Sequence, residues 1–421
     1  MVVAIWAVVT FLLILKTANY TKIFLALIFA LLFSDSYLRP FAFAATAKIG
    51  MIVILLVYIL SNFKDFKGYS NKVFIYFLPF LSFALLASTW SLNPFTALQK
   101  SLSYGIVFFV IPLLFQRSRT ENHYFTRDII VAYGVFLLSG ILLWLVSPEA
   151  GTLAGRFRGL MGNPNGIGTL ITVLVIMVFI MYREKYWKHV IDNQTWFFFI
   201  ATVGVSLFLC GSRTALFAII LFFAFIRLRY FTNLGTLVLF TVIIISYNYI
   251  LTNLPIIVTA LGLEEYLRLD TLEEGSGRFI AWNFSWEQIQ LQYFLGGGFG
   301  YTEYIFKEYY QYLSQLGHQG NAHNSYLTFW LDTGLLGVLL FLIGLVRTIV
   351  VSIKNSSYAL PVFYAVLFSA NFESWLAASL NPFTCLLLIT LTLISSPSST
   401  INEPIDSSDN EDLDNSNLSL T

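Results

Sequence analysis

The feature that most constrains this chain is a series of long apolar runs separated by short polar breaks. The runs fall near residues 2–15, 23–34, 41–61, 73–89, 97–115, 129–147, 166–182, 195–210, 214–226, 234–252, 324–350, 358–376 and 380–395. A hydrocarbon core of about 30 Å asks for about 20 predominantly apolar residues per helix. Backbone polar groups in lipid must be satisfied within their own segment, so runs of this length are read as helices. Composition agrees, with 57% hydrophobic and 11% charged residues among 421, against roughly 25% charged in soluble domains. The sequence predicts an all-α polytopic membrane protein of about 12–13 transmembrane helices.

Other classes drop out on similar grounds. A net charge of +1 gives no basic face for a nucleic acid. Cys210 and Cys385 both lie inside apolar runs and read as small buried hydrophobes, not as a disulfide or a metal site. The opening MVVAIWAVVTFLLIL has no basic n-region, and Ala44-Ala45-Thr46-Ala47 comes only after a second apolar segment. The first run is therefore expected to be a retained helix, not a cleaved signal peptide. The segment after Ser395 is acidic with no Lys or Arg and is expected to be disordered. Within it, Asp412-Leu413-Asp414 matches a metal-nucleotide motif in spelling only.

Lys and Arg favour cytoplasmic breaks. They recur in alternate ones: Lys16 and Lys22, then Lys64, Lys67 and Lys72, then Arg117, Arg119 and Arg127, then Arg183, Lys185 and Lys188, then Arg227 and Arg229, and last Arg347 and Lys354. Placing these inside puts the remaining breaks outside together. Those are Trp90-Ser91-Leu92-Asn93-Pro94, residues 148–165, Gly211-Ser212-Arg213 and one long polar insert. The organisation expected is a helix bundle over 1–252, an outer loop over 253–323, further helices over 324–395 and a cytoplasmic tail over 396–421. The insert is acidic and aromatic, with Arg278, Trp282, Trp286 and Ile289 at helical spacing. This suits amphipathic helices lying at the headgroups, and a sugar-stacking surface is the sharper alternative. Gly296 to Gly300 lacks the Lys-Ser/Thr of a nucleotide loop and reads as a flexible turn.

The positive-inside rule leaves some outer cations unexplained: Arg156 and Arg158 ahead of the turn Gly162-Asn163-Pro164-Asn165, Arg213, Arg278, and Lys100 just inside a helix. Ionisable groups at a span are costly and face a cavity or a partner, and the guanidinium fork suits phosphate. Together they suggest a shared anion site. For each alone, the alternative is snorkelling to headgroups or pairing with a loop carboxylate. His318 and His323 are five apart, which does not place them on one helical face as i, i+4 would, and no third ligand is evident. No metal or cofactor is expected. A histidine acting as general base near neutral pH fits better.

The ordered set Trp90-Ser91-Leu92-Asn93-Pro94, Gly162-Asn163-Pro164-Asn165, Gly211-Ser212-Arg213-Thr214, Ser276-Gly277-Arg278 with Trp282, Gly296 to Gly300, and Ala322-His323-Asn324-Ser325-Tyr326-Leu327 resembles the O-antigen ligase family, which also takes in O-antigen and exopolysaccharide polymerases. The resemblance covers roughly residues 80 to 390. It implies a GT-C-like, metal-independent, inverting glycosyltransferase of the bacterial inner membrane, multi-pass and working at its periplasmic face. The donor it implies is an undecaprenyl-diphosphate-linked glycan. The acceptor is lipid A-core for a ligase or a second lipid-linked glycan for a polymerase. By motif, Arg213 and Arg278 would hold the diphosphate and His323 would position or deprotonate the acceptor. Arg156, Arg158, Lys100, His318 and Asn324 are further substrate-binding candidates. A transporter or flippase of a polar lipid is the reading from another class. It predicts mid-span charges and inverted repeats; the runs hold few charges and show no repeat.

Overall fold

Helices dominate because nearly every run is apolar enough to leave its backbone no partner but itself. The computed structural model describes residues 20–122, 124–183, 193–228, 231–261, 269–318 and 320–395. The first apolar run, Glu264, Glu265, Arg268, Gln319 and the acidic tail lie outside these residues. Twelve helices follow the apolar runs: α1 (Tyr20–Ser34), α2 (Phe43–Ser61), α3 (Lys72–Ala87), α4 (Pro94–Glu121), α5 (Phe125–Val146), α6 (Pro164–Arg183), α7 (Asn193–Cys210), α8 (Arg213–Arg227), α9 (Asn233–Leu261), then α13 (Ser325–Asn355), α14 (Ala359–Phe372) and α15 (Pro382–Ser395). The insert adds α10 (Leu269–Leu291), α11 (Tyr301–Glu308) and α12 (Tyr310–Gln315). A two-residue-per-strand hairpin, β1 (Thr152–Leu153) with β2 (Arg156–Phe157), closes the break after α5. Among the described residues, seven helices are long and apolar enough to cross a membrane and four more are shorter and apolar. The chain is an all-α, multi-pass membrane protein.

Contacts between breaks sort them into two ends, independently of charge. At one end Ser36 bridges Met161, and the Tyr37 hydroxyl donates to Ala150 O. There too Arg156 Nε donates to Cys210 O at 3.1 Å, Trp90 Nε1 to Gly296 O at 3.2 Å and Lys48 Nζ to Leu380 O at 2.8 Å. At the other end Tyr69 meets Thr120 at 2.8 Å and Arg117 meets Asp65 at 3.4 Å. Arg183 Nε donates to the Tyr358 hydroxyl at 3.2 Å, and Asn355 to Ser395 O at 2.8 Å. The grouping is the one the Lys/Arg alternation implies. We refer to the insert end and the basic end.

Most of the short motifs turn out to be helix starts at the insert end. Asn93 Oδ1 accepts from Thr96 N, Asn163 Oδ1 from Gly166 N, Ser212 Oγ from Ala215 N, Asn324 Oδ1 from Tyr326 N and Leu327 N, and Asn381 Oδ1 from Thr384 N. Pro94, Pro164 and Pro382 each open a helix, where the missing N–H costs nothing. Each cap satisfies donors that the helix cannot and is worth about 1 kcal/mol. Together they turn the positive ends of five helices toward one face.

The insert is bolted on. Gly334 (φ +64°) interrupts α13, which strands the backbone groups on either side of it. The turn before α11 satisfies them: Gly297 N and Gly298 N donate to Leu331 O and Asp332 O at 2.9 and 2.8 Å, while Leu335 N and Leu336 N donate to Tyr293 O and Phe294 O at 2.9 and 3.2 Å. A Cβ on Gly296 would sit 2.4 Å from Gly334 N, so the two backbones touch. Asp332, buried, accepts from Gly300 N at 2.9 Å, Thr302 N at 2.8 Å and Thr302 Oγ1 at 2.7 Å. It thus caps α11 from another helix. The expected flexible turn is a clasp instead, because each of its glycines meets another backbone or side chain. Beneath it, Phe80, Phe329 and Phe341 pack ring against ring, with centroids 4.4 to 5.4 Å apart, and join α3 to α13.

Candidate functional site

The site grows from two helix starts and one break at the insert end. Arg213 is the first residue of α8, set there by the Ser212 cap and by Gly211 in a left-handed turn (φ +56°). It is exposed, and among the described residues it has no hydrogen-bond or ion-pair partner. Arg278 comes from α10, 65 positions further on. Both nonetheless border one aromatic cluster, around Tyr247 on α9. Phe372 ties these elements together, with its ring 5.9 Å from the Arg278 guanidinium, 5.1 Å from Tyr247 and 6.1 Å from Trp282. Phe217, one turn after Arg213, and Phe368 pack on Tyr247 at 4.9 and 5.0 Å. An exposed guanidinium with no acceptor among the described residues, as at Arg213, is open to an anion.

The second half of the site is carried by Glu373, at the end of α14. Its Oε1 accepts from Arg278 Nη2 at 2.8 Å and its Oε2 lies 3.5 Å from His323 Nδ1. With a side chain only 14% exposed, it is a partly buried carboxylate shared by a cation and an imidazole. The contact favours the tautomer with the proton on Nδ1, which leaves Nε2 as acceptor. Nε2 sits beside Gly320, 3.0 Å from where a Cβ would be. His323 itself is held at φ +44°, a conformation worth about 1–3 kcal/mol of strain outside glycine. Asn321 Oδ1 accepts from His323 N at 2.9 Å, and the next residue, Asn324, caps α13. Ser374 and Asn371 fix this loop from the other side. Ser374 Oγ accepts from Asn324 N at 3.1 Å, Asn371 Oδ1 from Asn324 Nδ2 at 3.4 Å, and Ser325 Oγ donates to Glu373 O at 2.6 Å.

The remaining sequence candidates are committed elsewhere. Arg156 donates to Cys210 O and to Asn165 Oδ1 at 3.0 Å, and so pins the hairpin to α7 and α6. Arg158 lies 3.5 Å over the Tyr37 ring and donates to Ala150 O, a cation–π contact that ties the hairpin to the break after α1. Lys100 pairs with Glu303 at 2.5 Å, joining α4 to α11. His318 is buried, with its ring against Phe306 and edge-on to His323 at 5.9 Å each. Asn324 is buried as a cap. The structure brings Arg278 and His323 together on Glu373, with Asn324 next to His323, and sets Arg213 one turn before Phe217 in the neighbouring aromatic cluster. An apolar groove of about 900 Å³ between α6 and α8, lined by Phe179, Ile219, Ile220 and Phe223, lies toward the basic end and holds none of them.

Sequence reasoning missed Tyr247, Asn371, Glu373 and Ser374. Glu373 falls inside what reads as the run 358–376, although an acid within such a run is itself a functional signal. Tyr247 carried no signal, being one of 23 tyrosines.

Residues 196–342 match the family model described as O-antigen ligase. The matched stretch runs from α7 into α13 and holds Arg213, Tyr247, Arg278, His323 and Asn324, while Glu373 lies beyond it. The resemblance read from the motifs is borne out over this stretch. A search of the curated proteins finds no match to the chain.

Proposed function

We propose that the chain, whose residues 196–342 match the O-antigen ligase family model, is a membrane glycosyltransferase of the class that holds the ligases and polymerases, and that it transfers a glycan from undecaprenyl diphosphate to an acceptor hydroxyl at the insert end, on the periplasmic side of the inner membrane. The observation that carries this reading is the link from Arg278 through Glu373 to His323, beside an aromatic cluster in which Tyr247 packs on Phe372, next to Arg278, and on Phe217, one turn after Arg213. Arg213 and Arg278 take the donor's diphosphate, and Arg278 exchanges Glu373 for phosphate oxygens. His323 Nε2 accepts the proton of the acceptor hydroxyl while Glu373 steadies the imidazolium that forms. The acceptor oxygen bonds to the anomeric carbon from the face opposite the diphosphate. The anomeric C–O bond breaks, and its electron pair leaves on undecaprenyl diphosphate, where the guanidiniums stabilise the growing charge. Configuration inverts. The guanidiniums here do the charge-stabilising work that a metal ion does in other transferases.

The test is reconstitution of the full chain in vesicles with an undecaprenyl-diphosphate oligosaccharide, offered alone or with lipid A-core. Product that grows on donor alone identifies a polymerase, and product that requires lipid A-core identifies a ligase. His323→Ala is expected to lower turnover by about 100-fold or more, with His318→Ala close to wild type. Passage of intact donor across the bilayer with neither product would replace this reading with transport.

A further inference from the structure

We infer that the Tyr247 hydroxyl is a third ligand of the donor's diphosphate, a neutral hydrogen-bond donor beside the helices that carry the two arginines; the inference rests on the reading of this end as a diphosphate site. Three observations carry it. Tyr247 packs on Phe217, one turn after Arg213, and on Phe372, whose ring lies 5.9 Å from the Arg278 guanidinium, so helices carrying both arginines meet at its ring. Its ring is fixed from three sides, with Phe217, Phe368 and Phe372 at 4.9, 5.0 and 5.1 Å, so its position is set by packing. Its hydroxyl, though, takes part in no hydrogen bond among the described residues. The other tyrosines packed near it in the bundle show the contrast. Tyr364, in the same aromatic cluster, meets Thr236 at 3.0 Å, and the Tyr326 hydroxyl donates to Leu367 O at 3.0 Å.

A half-buried phenol has no acceptor to meet on a guanidinium, since guanidinium groups only donate. An incoming phosphate oxygen supplies one. Hydrogen bonds to an ionised acceptor are roughly twice as strong as neutral ones, and a donor fixed beforehand pays little ordering entropy when the anion arrives. The hydroxyl also adds direction. Two arginines on long stems hold an anion as charge, whereas a rigid phenol selects where one oxygen must lie. The apolar rings below leave the donor's lipid a wall to follow away from the diphosphate.

The experiment compares wild type with Tyr247→Phe, which removes the hydroxyl and keeps the ring, in the reconstituted full chain. Two quantities are read: kcat/KM for the lipid-linked donor, and the dissociation constant of inorganic pyrophosphate measured by calorimetry. A drop of about tenfold in both, with the melting temperature unchanged, is the expected result. If pyrophosphate binds the variant as tightly as wild type and kcat/KM is unaltered, the inference is overturned. When Arg213→Ala and Arg278→Ala still lose turnover in that case, the glycosyltransferase reading stands without it. Weakened turnover that follows a lowered melting temperature would make Tyr247 a packing residue and also overturn the inference. Failure of wild type to bind pyrophosphate would overturn the inference and the diphosphate site together, whatever the acceptor.

Discussion

Arg156 and Arg158 differ from Arg213 and Arg278 in what surrounds them, not in residue type or in the end of the bundle they occupy. The first pair belongs to a hairpin two residues per strand. Its guanidiniums are directed at carbonyls, an asparagine and a tyrosine ring. The second pair stands on separate helices that border one aromatic cluster, and a single carboxylate, Glu373, pairs with Arg278. Arg156 and Arg158 are held by acceptors within the protein, so their charge serves to fasten the breaks after α1, α5 and α7 to one another. Arg213 keeps its donors, and Arg278 gives one to Glu373. An outer arginine in a chain like this is a fastener when the backbone supplies its acceptors and a ligand when it does not.

The comparison can be broken by substitution. Arg213→Ala is expected to lower kcat/KM by about 100-fold, the scale for losing one charge-stabilising donor, with little change in melting temperature, because Arg213 is exposed and contacts no acceptor in the described residues. Arg156→Ala is expected to do the reverse. It leaves the Cys210 carbonyl and Asn165 without their partner, so thermal melting falls while activity per folded molecule is largely kept. If both variants behaved alike, the distinction between fastener and ligand would fail.

Glu373→Gln sharpens the comparison at the link between cation and imidazole. The amide can still accept from one partner but carries no charge, and an amide nitrogen turned toward His323 would favour the other tautomer. Turnover is expected to fall by about 10- to 100-fold, less than for removal of His323, with donor affinity held or raised as Arg278 is released. Steady-state kinetics at saturating acceptor separate the two parameters.

A smaller kinetic effect is expected at Asp332, where the charge does only structural work. Asp332→Ala removes the acceptor of three hydrogen bonds, each worth about 1.5–3 kcal/mol to a charged group. It should loosen the 293–302 clasp and lower the melting temperature well before it alters kcat. Hydrogen exchange over 296–302 would register the loosening, and unchanged exchange would show that the glycine contacts alone hold the insert.

Much of this organisation was legible in the sequence. Most helices start and stop within a few residues of the apolar runs, although α4 and α9 continue six and nine residues past theirs, because a backbone in lipid has no other partner and the pattern of apolar residues is therefore the pattern of spans. The two ends were legible too, since charge distribution follows topology, and the contacts between breaks return the same grouping. Arg213, Arg278 and His323 were visible as cations and imidazoles where bulk hydrophobicity predicts none. What the sequence could not separate was the role of each outer cation, because that depends on which acceptors lie within about 3 Å, and those acceptors come from positions 8 to 203 residues away. Glu373 was hidden by the run that contains it, Tyr247 by its ordinariness, and the clasp by glycines that spell flexibility alone but close contact when a broken helix is beside them. Local pattern determined the elements and their direction. Only the packing of α8, α9, α10, α13 and α14 against one another decided which charges are spent on the protein and which are left for a ligand.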